Sequence, residues 1–200
     1  DWTTTQLTSW KDQLNEHAIT PIQQFRYTTG KNATDSALII DAMDLLYSGK
    51  LQGLCLVSSD SDFTRLATRL RETGVTVLGF GQQKTPSPFV RACDKFIYTE
   101  ILQPEVKSAD TTDSPPPRKG ARELRGDTRL VRQLREAVEV CADENGWAHP
   151  GQIGAQLLKQ SSDFDSRNYG YSRLLQLLQA TELFEVRMGA DASGKKQHFV

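Results

Sequence analysis

Short apolar segments alternate with amphipathic helices between Leu54 and Tyr98, and this alternation constrains the fold more than any other feature of the chain. The first segment, 54–57, is continuously apolar, which is typical of a buried parallel strand. Strands are predicted at 54–57, 75–80 and 95–98, and helices at about 62–73 and 88–93. This order predicts a three-layer α/β domain with a parallel sheet, in which ligands bind beyond the carboxyl ends of the strands.

A proline-rich segment separates this domain from a second one. Residues Gln103 to Arg118 include three consecutive prolines and almost no large apolar residue, a composition typical of an extended, flexible linker. We therefore predict an α/β domain at 1–102, a flexible linker at 103–123 and a smaller domain at 124–200. Upstream of the sheet, the apolar spacing predicts a helix at about 5–17, a strand at 22–27 and a helix from Asn32, its N-cap, to Gly49.

The pattern of residues 124–200 predicts a winged helix-turn-helix. Asp127 is a suitable N-cap for a first helix that ends near Asn145 and Gly146. Two further helices at 151–159 and 171–179 are followed by a terminal hairpin at 183–187 and 197–200. Three helices and a hairpin in this order are typical of a nucleic-acid-binding module.

The composition indicates a globular chain without membrane or disorder bias. The net charge is −1, and 38% of the residues are hydrophobic. No apolar run approaches the roughly 18 residues of a membrane span, so no membrane partner and a cytoplasmic location are expected. Before Pro117 there are 11 basic and 14 acidic residues, and after it 13 and 11. The mildly basic second half has the sign expected of a nucleic-acid-binding domain.

Acidic residues follow the strand at 54–57, where ligands are expected to bind. Asp60 and Asp62 are two residues apart on a serine-rich loop, so both carboxylates can turn toward one divalent cation. Asp35, near the start of the preceding helix, is predicted to lie at the same edge of the sheet. Three carboxylates without His or Cys favour Mg²⁺ or Mn²⁺ over Zn²⁺.

Each of these acids also has a purely structural interpretation. Asp60 or Asp62 can cap the helix that follows, and Asp35 can interact with a helix dipole. Lys31 can contact a phosphate or simply be solvated on its loop.

The ordered motifs of the first domain resemble those of the LabA-like NYN family. The resemblance rests on the segments 30–35, 38–41, 56–63, 79–81 and 92–96. It implies a PIN-like fold and a Mg²⁺-dependent hydrolysis of RNA phosphodiesters. It also implies that Asp35, Asp60 and Asp62 are catalytic metal ligands, with Asp94, Lys31 and Ser59 as secondary candidates. Asp94 is a weaker candidate, because it can instead fix the last strand.

The chain departs from that family at its start. NYN domains begin with an apolar strand that ends in an Asp, whereas Asp1 and Trp2 resemble the segment that follows this strand. We therefore expect the first strand and one metal-binding Asp to be absent from these residues. Little activity is expected from this fragment alone.

The second domain resembles the LOTUS, or OST-HTH, domains. The resemblance rests on the segments 146–148, 163–165, 167–174 and 183–186. The resemblance implies that the domain binds RNA, which can be single-stranded or structured and includes G-rich RNA. It also implies that the domain can bind a protein partner. Association of the chain with itself is a further possibility. The residues predicted to contact RNA are Arg129, Arg132, Arg167, Tyr169, Tyr171, Arg173, Lys195 and Lys196.

Structural alternatives exist for these residues as well. The arginines of the first helix can pair with Glu136 and Glu139 on a solvated face, and one of Tyr169 and Tyr171 is expected to belong to the core. The expected function is that of a Mg²⁺-dependent endoribonuclease with an RNA-binding domain, acting in RNA processing or turnover. The alternative is a catalytically inactive RNA-binding or protein-interaction adaptor.

Overall fold

The computed structural model describes residues 10–24, 33–102, 117–190 and 196–200. The chain divides into two compact units, Asp1–Leu51 and Gln52–Val200. The first unit contains helices α1 (Lys11–Glu16) and α2 (Ala33–Tyr47), which lie within the two predicted helices. Residues 22–24 form no strand, and the rest of the strand predicted at 22–27 lies outside the described residues, as does the N-cap candidate Asn32.

The second unit begins with a three-stranded parallel sheet in the order β1-β2-β3. Its elements are β1 (Gly53–Val57), α3 (Thr64–Glu72), β2 (Thr76–Gly81), α4 (Ser87–Ala92) and β3 (Lys95–Tyr98), with a 3₁₀ turn (Ser61–Phe63) before α3 and another (Thr99–Leu102) after β3. Leu56 lies opposite Gly79, which in turn lies opposite Phe96. The predicted α/β fold with a parallel sheet is confirmed.

Aromatic side chains form the core of this sheet domain. The ring of Phe89 lies 5.8 Å from that of Phe96 in an edge-to-face arrangement and 6.5 Å from that of Phe63. Beside this core, no side chain fits at Gly81, because a Cβ there would lie 2.5 Å from the carbonyl oxygen of Ser58. The close approach of the two strand ends therefore requires glycine at this position.

Strand β1 differs from its prediction in burial. Of its five residues only Leu56 is buried, and the side chain of Val57 is 73% exposed. The reason is that β1 is the outer strand of the sheet that the described residues form. A continuously apolar run indicated the strand correctly but not its exposed position.

The last part of the chain has the predicted three helices and terminal hairpin, with one additional helix. The elements are α5 (Ala121–Gly126), α6 (Thr128–Cys141), α7 (Pro150–Gln160), a 3₁₀ turn (Ser166–Tyr169), α8 (Leu174–Thr181), β4 (Arg187–Ala190) and β5 (Lys196–Phe199). The first hairpin strand, predicted at 183–187, instead spans Arg187–Ala190. As predicted, Asp127 caps α6 by accepting a hydrogen bond from the N–H of Leu130 at 3.0 Å. Helix α5 begins inside the segment predicted as linker and buries Leu124 completely. Residues 103–116 lie outside the described residues, so the linker itself stays a prediction.

Direct hydrogen bonds join the winged helix to β3, the outer strand opposite β1, and to α4. The N–H of Phe96 donates to the carbonyl oxygen of Ser162 at 2.7 Å, and the Ser162 hydroxyl donates to the carbonyl oxygen of Val90 at 2.7 Å. The phenol of Tyr98 donates to a carboxylate oxygen of Asp163 at 2.9 Å. We call residues 161–163 the docking loop. It covers the exposed edge of β3, which would otherwise present unpaired backbone groups.

Candidate functional site

The serine-rich loop after β1 lies at the carboxyl edge of the sheet. The Ser58 N–H donates to the carbonyl oxygen of Phe80 at 2.8 Å, and the Ser59 hydroxyl accepts from the N–H of Gln82 at 2.9 Å. These bonds attach the loop to the end of β2. Ser59, a secondary candidate from the sequence, therefore positions the loop.

Asp60 and Asp62 are both exposed on this loop. The Asp60 carboxylate accepts a hydrogen bond from the Asp62 N–H at 2.9 Å, so Asp60 caps the 3₁₀ turn that precedes α3. The structural alternative considered for Asp60 is thus observed. A carboxylate has about four lone-pair directions, so this one bond leaves capacity for another ligand.

Asp35 is half-buried in the first turn of α2, in the first compact unit. The predicted approach of Asp35 to Asp60 and Asp62 stays a prediction. Lys31 lies outside the described residues.

Asp94 lies at the opposite edge of the sheet from Asp60. Its carboxylate accepts hydrogen bonds from the N–H of Val77, the second residue of β2, and from Nε of Arg71, both at 2.8 Å. Val77 and Gln82 are separated by five residues along β2, or about 16 Å. Asp94 therefore fixes the start of β2 and β3, which is the alternative role considered for it, and it does not lie beside Asp60.

The acidic loop meets part of the requirement for a hard divalent cation. Asp60 and Asp62 supply carboxylate oxygens, which Mg²⁺ and Mn²⁺ prefer. Among the residues that the structure describes, however, no three His, Cys, Asp or Glu side chains are grouped closely enough to hold a metal ion. The donor chemistry fits, but these residues do not by themselves assemble a complete set of ligands.

Two of the predicted RNA-binding arginines are exposed on α6. The side chain of Arg129 is 68% exposed and that of Arg132 is 72% exposed. Arg132 is 3.9 Å from Glu136, one turn further along the helix, which is the pairing that the structural alternative described. At such exposure an ion pair contributes little energy, so the guanidinium group remains accessible to a phosphate.

Arg167 is instead engaged within the domain. Its Nε and Nη2 atoms donate to the two oxygens of Asp165 at 3.0 and 2.7 Å. Burial opposes ionisation of Asp165, but the hydrogen bonds from Arg167 hold the pKa of that carboxyl below its usual value. The same hydrogen bonds raise the pKa of Arg167. This paired geometry stabilises the turn before α8 and argues against a primary role for Arg167 in RNA binding.

Of the two tyrosines, Tyr171 is the one that belongs to the core. It is 6% exposed, and its phenol donates to the carbonyl oxygen of Lys119 at 2.5 Å. Tyr169 is half-buried, with its ring 6.4 Å from that of Phe164, and burial raises its pKa to about 12. The expectation that one of the pair is a core residue is confirmed, and base stacking by Tyr171 is incompatible with its burial.

The remaining predicted contacts lie near the ends of the domain. Arg173 is exposed and directly precedes α8. Lys195 lies outside the described residues, and of Lys196 only the backbone, at the start of β5, is described. Arg187 was not among the predicted residues, and its guanidinium carbon lies 3.7 Å from the centre of the Trp147 ring. Roles for Arg91, Lys159 and Asp163 were not predicted either, because they depend on how the winged helix docks on the sheet.

The parallel sheet with an acidic loop at its carboxyl edge, followed by a winged helix, defines a PIN-like domain joined to a winged-helix domain. The family model of the NYN domain matches residues 1–102, and the chain belongs to this family. The model of the OST-HTH/LOTUS domain matches residues 125–195. Both resemblances inferred from the sequence are therefore confirmed.

These two matches associate a domain of the nuclease superfamily with a domain of the RNA-binding type. Comparisons with curated proteins and with solved structures gave no significant match. Within the described part of the chain, no helix has both the length and the apolar character needed to cross a membrane.

Proposed function

We propose that this chain is a metal-dependent endoribonuclease, which binds RNA through its winged helix and acts in RNA processing or turnover. The observation that supports this most is the position of Asp60 and Asp62. They lie at the edge of the sheet where α/β domains bind ligands, within a domain of the nuclease superfamily.

Asp60 and Asp62 would hold the cation, Mg²⁺ or Mn²⁺, together with Asp35. The cation supplies Lewis acidity toward the scissile phosphate and the attacking water. Asp60 is well suited to this role because its carboxylate is already oriented by the Asp62 N–H. The Ser59 hydroxyl accepts a hydrogen bond from the N–H of Gln82, which attaches the loop to the end of β2 and so fixes the position of the two acids relative to the ends of the strands.

Asp60→Asn is the most informative variant, since it separates charge from structure. Asn caps helices about as well as Asp, so the hydrogen bond from the Asp62 N–H is retained while the negative charge is lost. We expect cleavage of a labelled single-stranded RNA in Mg²⁺ to fall at least about a hundredfold, on the order of the effect of removing one electrostatic group from an active site.

Glu72→Gln is the matched control for this variant. It also removes one exposed carboxylate, but at the far end of α3, roughly 12 Å along the helix from Thr64. The control should cleave like the parent protein. Equal cleavage by the unmodified protein and its Asp60→Asn variant would refute the proposal.

The second candidate is a catalytically inactive adaptor that binds RNA or a protein. It is favoured by the capping role of Asp60 and by the lack of a three-ligand group among residues 10–24, 33–102, 117–190 and 196–200. Under this alternative the parent protein binds RNA without cleaving it in Mg²⁺ or Mn²⁺, which the same assay distinguishes.

A further inference from the structure

A cleft of about 840 Å³ lies where the winged helix meets the sheet domain. Its walls come from the ends of α3 and α4 and from β3 on one side, and from α6, the end of α7 and the docking loop on the other. The whole cleft lies within the second compact unit. The hydrogen bonds between β3 and the docking loop hold its two walls together.

Positive charge dominates the lining of this cleft. Five cationic side chains and two carboxylates line it: Arg71, Arg91, Arg129, Arg132 and Lys159, against Asp94 and Asp163. Both walls contribute cations, so a ligand that spans the cleft meets positive charge from each domain. Hydroxyl and amide side chains, among them Ser87 and Gln133, supply further hydrogen-bonding groups.

The two carboxylates are already engaged in holding the structure. Asp94 is paired with Arg71 and with the Val77 N–H, as described above. Asp163 accepts from Tyr98 and from the hydroxyl of Ser161. Arg71 pairs with Asp94 at 2.8 Å and Nη2 of Arg129 lies 4.0 Å from the Asp163 carboxylate, so these two arginines compensate the two negative charges. Arg91, Arg132 and Lys159 remain to determine the ligand.

Arg91 and Lys159 are the cations that best indicate a ligand from outside. Both are exposed, Arg91 in the last turn of α4 and Lys159 in the last turn of α7. They belong to opposite walls of the cleft, and Arg129 and Arg132 of α6 also line it. A groove lined by cations is an arrangement by which proteins follow a nucleic-acid backbone.

We infer that this cleft binds the sugar–phosphate backbone of a single RNA strand, with phosphates held between Arg91 on the sheet domain and Lys159 on the winged helix. The inference rests on the proposed RNA-directed function and specifies where the RNA lies. A single strand is favoured because a cleft of this volume is in the range of pockets that enclose small ligands, and a duplex would not enter it. The cleft would make the two domains one continuous RNA-binding surface.

The test measures binding without cleavage. A fluorescein-labelled single-stranded RNA is titrated with residues 1–200 in EDTA, and anisotropy is recorded at several salt concentrations. The variant Arg91→Ala/Lys159→Ala removes one cation from each wall. We expect its Kd to rise on the order of tenfold, and the slope of log K against log salt to fall by about 1.4, since each phosphate contact to a single strand contributes about 0.7.

The matched control is Lys11→Ala/Arg122→Ala. It removes the same charge from two exposed positions that do not line the cleft, so the Kd and the salt slope should stay close to those of the unmodified chain. An equal loss of affinity in both double variants would overturn the inference, because binding would then follow total charge alone.

Three further outcomes separate this inference from the proposed function. If the unmodified chain binds RNA and the cleft variant binds it equally well, the cleft inference fails while the proposed function stands. If the unmodified chain does not bind RNA at all, both fail. If a poly-glutamate peptide binds in a way that depends on Arg91 and Lys159 whereas RNA does not, the cleft serves an acidic protein partner and the inference is wrong.

Discussion

Removing the phenol of Tyr98 should weaken the attachment of the winged helix to the sheet. Tyr98 donates to Asp163, whose side chain is only 23% exposed, and burial together with that carboxylate raises the pKa of the phenol. In Tyr98→Phe the ring can keep its edge-to-face contact with Phe96 at 5.5 Å. The substitution therefore removes one hydrogen bond and little packing.

The size of this loss in stability depends on how well the Asp163 carboxylate remains hydrogen-bonded in the variant. A hydrogen bond to a charged group contributes about 1.5–3 kcal/mol, and the partial exposure of Asp163 places the effect near the lower figure. The Ser161 hydroxyl still donates to the other oxygen, which limits the loss further. We expect Tyr98→Phe to lower the free energy of unfolding by about 1.5 kcal/mol.

Urea unfolding measures this change, and small-angle scattering measures whether the domains separate. Tyr47→Phe is the matched control, because Tyr47 is 75% exposed and should lose less than about 0.5 kcal/mol. Adding Ser162→Ala to Tyr98→Phe removes a second docking bond, to the Val90 carbonyl, and should increase the radius of gyration. If both tyrosine variants unfold at the same urea concentration and the double variant scatters like the parent, the docking loop does not hold the domains together.

Two further predictions concern single side chains. Cys93 is 1% exposed, and burial raises the pKa of its thiol to about 11. At pH 8 Cys93 should therefore resist iodoacetamide in the folded protein, whereas the exposed Cys55 should react. Peptide mapping by mass spectrometry measures both reactions, and modification of the two cysteines at equal rates would contradict the prediction. The pKa of Asp165 is lower in the folded state, so its contribution to stability is present above its unfolded pKa of about 4 and is lost as pH falls through the folded value. The free energy of unfolding should therefore be about 1.5–3 kcal/mol lower in Asp165→Asn at pH 7, and the difference should shrink progressively below about pH 4. Unfolding measured across this pH range tests the prediction. A difference independent of pH would show that Arg167 does not act through the carboxylate.

The sequence predicted the secondary structure well where local signals decide it. The strand at 95–98 has the predicted bounds, and the capping of α6 by Asp127 follows from a side-chain preference that acts over three residues. The burial of β1 was not predictable in the same way. An apolar run shows that a strand forms, but its exposure depends on which neighbours pair with it.

The candidate site was predictable only in part, for a similar reason. Asp60 and Asp62 follow a strand directly, so their position at the carboxyl edge could be read from the alternation of elements. Asp94 precedes a strand, and in a parallel sheet that places it at the other edge. That distinction follows from the strand predicted at 95–98, whereas the family resemblance alone kept Asp94 among the candidate ligands.

The docking loop shows what single residues of the sequence cannot indicate. Ser162 and Asp163 are polar residues between a helix and a turn, a pattern that predicts a solvated loop. They become informative only once β3 is known to be an outer strand, because its backbone groups then need partners. The same contact brings Lys159, three residues before Ser162, to the wall opposite Arg91. The cationic cleft is therefore a product of domain docking, so a loss of docking in Tyr98→Phe/Ser162→Ala should weaken RNA binding even though every cation of the cleft is still present.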